Sequence, residues 1–132
     1  MENESFIEYQ KRDSVLRDKS YAFALRIVKM VKTMSTDYKV ASLFNQVLRS
    51  GTSIMANVSE SEFAQSPQDF VSKLYIALKE ANETATWLRL LKDSDCIKEL
   101  HYNSIAADCQ ELIALLIASI KTSKRNQSQQ TK

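Results

Sequence analysis

The chain has 132 residues, a net charge of +2 and 44% apolar residues, which is enough for one domain with a real core. So balanced a charge gives no general pull toward nucleic acid; only a local cluster would. One glycine and one proline in the whole chain cannot supply the turn every ~8–12 residues that a sheet protein needs, so composition points to long helices with few breaks.

The predicted elements follow in chain order. Residues 1–10 are polar and acidic, unlike a targeting peptide, and residues 1–12 are read as a flexible N-terminal segment. Helix one spans about Asp13 to Met34, with Asp13 or Ser14 as its cap and Leu16, Phe23, Ala24, Ile27, Val31 and Met34 as its apolar stripe. Helix two spans about Lys39 to Glu62. Its Val40, Phe44, Val47, Gly51, Ile54 and Val58 recur at alternating spacings of four and three, which is an a/d seam. Ser66-Pro67-Gln68-Asp69 marks the next start, with Ser66 as cap, Pro67 at the first helical position and Asp69 at the capping-box position. Helix three runs to about Lys92 on the seam Phe70, Leu74, Ala77, Ala81, Thr84, Leu88 and Leu91. After a connector over 96–103, helix four spans about Ser104 to Lys124, with Ile105, Cys109, Leu112, Leu116 and Ile120 inward. Residues 126–132 read as a disordered polar tail. Residues 13–125 thus predict an all-α, antiparallel up-down-up-down four-helix bundle.

Two helices carry more than one stripe. On helix two, Arg49, Ser53, Ala56 and Glu60 recur opposite the seam. On helix three, Ile76, Glu80, Glu83, Trp87 and Leu90 recur beside it. A monomer needs one apolar stripe per helix, and tryptophan is enriched at interfaces. Arg49, Ser53, Glu60, Ile76, Glu80, Glu83, Trp87 and Leu90 are therefore the candidate oligomer interface, with the charged members pairing within or between subunits. Glycine inside a helix costs ~1 kcal/mol relative to alanine, so Gly51 implies a close helix approach.

Basic residues are unevenly placed. Lys11, Arg12, Lys19, Arg26 and Lys29 share an arc of helix one. In an up-down bundle, Lys121, Lys124 and Arg125 join its beginning. These eight residues are the candidate surface for RNA or DNA, where phosphates would displace counterions. The competing reading is a protein-interaction scaffold, with solvated charges that serve only solubility.

Catalytic chemistry finds no pattern. His101, placed in a connector, is the only histidine, and with Cys96 and Cys109 it offers no zinc spacing. No Glu-x-x-His di-iron motif and no glycine-rich phosphate loop occur. The reading is a non-enzyme without cofactor or metal. The two cysteines are expected as reduced thiols in the cytoplasm, and no apolar run approaches the ~20 residues of a membrane span.

The stretch Arg49-Ser50-Gly51-Thr52-Ser53-Ile54-Met55-Ala56-Asn57-Val58 resembles the helix-two signature of a bacterial four-helix-bundle family. The likeness continues through Gln65-Ser66, Asp69-Phe70, Ala77-Leu78-Lys79-Glu80-Ala81, Glu83-Thr84, Trp87-Leu88-Arg89-Leu90-Leu91 and Ile120-Lys121-Thr122-Ser123-Lys124. Members of that family are encoded in intervening sequences of large-subunit ribosomal RNA genes. The accessory variability determinant of diversity-generating retroelements is a relative. Met55 stands where the family commonly has Gly or Pro, and Ser61 where it has Gly or Ala. The resemblance implies a non-catalytic homo-oligomer, typically a pentamer. In the retroelement relatives it implies partnership with nucleic acid and a reverse transcriptase.

Overall fold

A computed structural model describes residues 4–34 and 37–130 of the chain, with side chains over 15–34 and 37–129. Four helices follow one another: α1 (Glu4–Met34), α2 (Ala41–Ser61), α3 (Pro67–Asp93) and α4 (Glu99–Gln130), with a single 3₁₀ turn at Tyr38–Val40 before α2. Among the described residues there is no strand. Successive helices pack as neighbours and α4 returns to α1. This is the expected all-α four-helix bundle.

The core is most of the seams read from the sequence, but Val31, Met34, Val40 and Phe70 are only partly buried, and Met30, Val71 and Ile97 are buried in addition. Leu16, Phe23, Ile27, Phe44, Val47, Ile54, Val58, Leu74, Ala77, Ala81, Leu88, Leu91, Ile105, Cys109, Leu112, Leu116 and Ile120 are all buried. The one glycine lies where α2 crosses α1. A Cβ at Gly51 would sit 3.0 Å from Ile27 Cγ1 and 3.1 Å from Ile27 Cγ2, so the Ile27 side chain packs directly on the α2 backbone and would have to give way to even a methyl group there. Beside it the hydroxyls of Ser50 and Thr84 hydrogen-bond at 2.8 Å across α2 and α3, satisfying polar groups that burial would otherwise penalise. Ser61 is buried too, and its hydroxyl donates to the Val58 carbonyl at 2.6 Å.

Boundaries differ at the long helices. α1 begins at Glu4, not at the Asp13 or Ser14 cap, so the segment read as flexible includes helix. α4 begins at Glu99 and continues to Gln130, through most of the stretch read as a disordered tail. One reason is local: Gln127 Nε2 donates to the Pro67 carbonyl at 3.0 Å, tying the end of α4 to the start of α3. The early start of α4 also puts His101 inside the helix rather than in a connector. Its Nε2 is buried without a hydrogen-bond partner among the described residues. By length and composition α4 is apolar enough to cross a membrane, contrary to the expectation from sequence. Its Ile105–Ile120 stripe lies in the bundle core.

The short connections are built by their sequence. Ser66 caps α3 by accepting from the Asp69 amide at 3.0 Å, and Asp69 accepts from the Gln65 amide at 3.1 Å. At the other end of α3 the Cys96 amide donates to the Leu91 carbonyl at 2.8 Å and the Asp95 amide to the Lys92 carbonyl at 3.0 Å. This is a Schellman motif, whose left-handed position is usually glycine. Here it is Asp95, at φ 61°. Aspartate tolerates that region better than a branched residue does. Asp95→Val is expected to lower stability by about 1–2 kcal/mol, while Asp95→Gly leaves it near the wild-type value. Thermal melts of the two variants check this; equal melting temperatures would contradict it.

Candidate assembly face and basic surface

The second stripes of α2 and α3 meet. Arg49 on α2 reaches over to α3 and pairs with Glu83 and, at 3.3 Å, with Glu80. Trp87 Nε1 donates to the same Glu83 carboxylate at 3.2 Å, and Gln46 accepts from Arg49 Nε at 3.3 Å. One turn beyond Asn57, Glu60 pairs with Lys73 at 3.2 Å. The helix-two stripe therefore flanks its seam on the α3 side instead of opposing it. The charged members close within one chain, and the partner of Glu60 is Lys73. Ser53 is half-buried and its hydroxyl accepts from Asn57 Nδ2 at 3.2 Å.

Around this network lie apolar groups that no described element covers. Ile76 is 40% exposed and Leu90 44% exposed, while Trp87 packs its inner side against the core. Arg49, Glu80, Glu83 and Trp87 thus meet between α2 and α3, Glu60 turns to Lys73 instead, and Ile76 and Leu90 share the outer stripe of α3 with Glu83 and Trp87 by helical period. Sequence periodicity found the stripes; it missed Gln46, Lys73 and the buried Ser50–Thr84 pair, because cross-helix register is not written in the period of either helix.

The Arg49 guanidinium, with help from the Trp87 indole, holds the Glu83 carboxyl below its ordinary value of 4.5. A carboxylate depressed in the folded state contributes stability above its unfolded value and loses that contribution as pH falls through the folded value. Chemical denaturation below pH 4.5 is expected to show Glu83→Gln losing less stability on acidification than wild type. Identical acid limbs would contradict the pairing.

The candidate basic surface is less uniform. Lys19 is ion-paired with Glu111, which raises its pKa. Arg26 bonds Asp108 at 2.6 Å and Ser104 at 2.6 Å. These four charges close the α1/α4 seam. Lys124 donates to the Tyr75 hydroxyl at 2.7 Å and lies 4.9 Å from its ring centroid. Lys29, Lys121 and Arg125 are exposed and form no ion pair among the described residues. The side chains of Lys11 and Arg12 lie outside the described residues. The structure thus brings part of the predicted patch to the α1/α4 side, with carboxylates already on two of its members.

Both cysteines are free thiols. Cys109 is buried against the Ala81 carbonyl at 3.3 Å, and burial pushes its pKa up to about 12. Cys96 is half-exposed at the rim of an open depression between Thr33, Met34 and the α3–α4 turn. Among the described residues no three His, Cys, Asp or Glu side chains group as metal ligands do.

The family model for the 23S rRNA-intervening sequence protein matches residues 12–118. The chain belongs to this family. It is similar to a crystallised protein of unknown function from the S23 ribosomal protein family of Bacteroides thetaiotaomicron VPI-5482. The two share 50% identity over 83% of this chain and 98% of that one, with a TM-score of 0.80. A search of curated proteins finds no match. The match at residues 12–118 takes in the whole α2/α3 side of this intervening-sequence family member.

Proposed function

We propose that this intervening-sequence family protein is a non-catalytic subunit of a homo-oligomer, assembled through its α2/α3 face. The observation that carries the reading is the convergence of Trp87, Ile76 and Leu90 around the Arg49–Glu80–Glu83 network on one side of the bundle. Half-covered tryptophan with exposed aliphatic neighbours is the composition of an interface centre. Ion pairs beside it supply register more than stability. Resemblance suggests five copies. The test is light scattering on Ile76→Asp and Leu90→Asp. Each variant is expected to fall below the wild-type mass while retaining its helical circular dichroism. Unchanged masses for both would sink the reading.

A second reading is that the assembled protein binds RNA or DNA through the α1/α4 side. It is favoured by Lys121 and Arg125 near the end of α4, which are exposed and form no ion pair among the described residues. Phosphates there would have to compete with Glu111 and Asp108 for Lys19 and Arg26, which makes this surface weaker than the sequence suggests. A reverse transcriptase as partner follows only from the resemblance to retroelement accessory proteins. A neighbouring reverse transcriptase gene would support it.

A further inference from the structure

Among the described residues each helix touches only its two neighbours around the bundle, so the bundle has four sides. Ion pairs close the α1/α4 side, and the Arg49 network lies on the α2/α3 side. The α1/α2 side differs from both. Residues 19–34 of α1 and 41–59 of α2 include no carboxylate. Tyr21 is 61% exposed and Leu25 45% exposed, and the helical period sets them in line with half-buried Val28 and exposed Lys32. Leu48 and Met55 are half-buried on the facing side of α2. Lys29 and Lys32 form no ion pair among the described residues.

Contacts through α2 fix which residues of α1 and α3 share a height. Arg17 pairs with Glu62 at 3.3 Å, and Ile27 packs on Gly51. Ser50 and Thr84 hydrogen-bond at 2.8 Å, and Glu60 pairs with Lys73 at 3.2 Å. Counting along the helices from these anchors puts Tyr21 level with Ile76, Lys32 level with Trp87, and Lys29 within ~3 Å of the height of Glu83.

We infer that the α1/α2 side is the receiving surface for a second copy of this chain, whose α2/α3 stripe docks on it head to tail. This rests on the assembly reading above and names the surface that the stripe meets. For copies related by rotation about an axis along the bundle, residues of equal height come together. The partner subunit's Ile76 then lies on Tyr21, the partner subunit's Glu83 faces Lys29, and the partner subunit's Trp87 lies beneath Lys32, a cation over an indole. The stripe packed on its own copy about a two-fold axis at Glu83 would instead oppose two carboxylates, which like-charge repulsion disfavours. The docking and receiving sides share α2 and lie a quarter-turn apart around the bundle. Such a contact closes into a ring of about four or five copies, whereas opposite sides would extend into a filament.

The test is a mixing experiment read by light scattering. Tyr21→Asp/Lys32→Glu damages the receiving side and Ile76→Asp the docking side, all at exposed positions. Each variant alone is expected at the 15.1 kDa of one chain, with its helical circular dichroism unchanged. Mixed one to one, they should form a pair of twice that mass, because the intact stripe of the first fits the intact groove of the second. Lys29→Glu/Lys32→Glu leaves the packing untouched. It should need about tenfold more protein than wild type to assemble, a difference that added salt narrows. A receiving-side variant of wild-type mass beside a dissociated Ile76→Asp overturns the inference and leaves the assembly reading standing. So does a mixture of dissociated variants that stays at the mass of one chain. Ile76→Asp and Leu90→Asp both at wild-type mass overturn the two together.

Discussion

Replacing Gly51 with leucine is expected to destabilise the bundle by about 2 kcal/mol, the overpacking cost of ~3 offset by ~1 from better helix propensity. That corresponds to a fall in melting temperature of roughly 7 °C for a domain of this size. Even a methyl group there would stand 3.0 Å from Ile27 Cγ1, and the larger side chain must displace both helices. Ile27→Ala alone should cost about 3 kcal/mol through the cavity it leaves. The double variant Ile27→Ala/Gly51→Leu should be more stable than the sum of the two, by at least about 1 kcal/mol, because the new side chain fills the space vacated. Additive losses would mean that Gly51 is not there for the contact with Ile27.

The second large effect is on assembly. Glu83 accepts from both Arg49 and Trp87. Glu83→Lys removes that acceptor, leaves Trp87 Nε1 without its partner and puts a cation beside Arg49. Arg49 is half-exposed, so solvent screens much of the repulsion and the isolated bundle should still fold. The α2/α3 face, however, changes its charge and loses the group that orients its tryptophan. The expected result is a smaller particle by light scattering with an unchanged helical spectrum. Trp87→Ala should act in the same direction. If neither variant changes the particle, the network only braces α2 against α3.

These effects show what the sequence carried. The seams of α2 and α3 were legible because heptad spacing and burial report the same geometry, and the Ser66-Pro67-Gln68-Asp69 start was legible because capping chemistry is local. The glycine also spoke plainly: a costly residue in mid-helix needed a close contact, and Ile27 is that contact. The ends of α1 and α4 were not legible, since polar residues continue a helix once a neighbour supports it, as Pro67 does through Gln127. Nor was pairing. The arc of Lys19 and Arg26 read as free basic surface because the acids that face it, Glu111 and Asp108, sit on a helix distant in sequence.

The central claim is that the folded bundle is a subunit. The mass of the wild-type protein in solution, by size-exclusion chromatography with multi-angle light scattering, tests it most directly. The expected particle holds two or more copies of the 15.1 kDa chain, with five favoured by the resemblance. A wild-type particle of 15.1 kDa at every accessible concentration would contradict it.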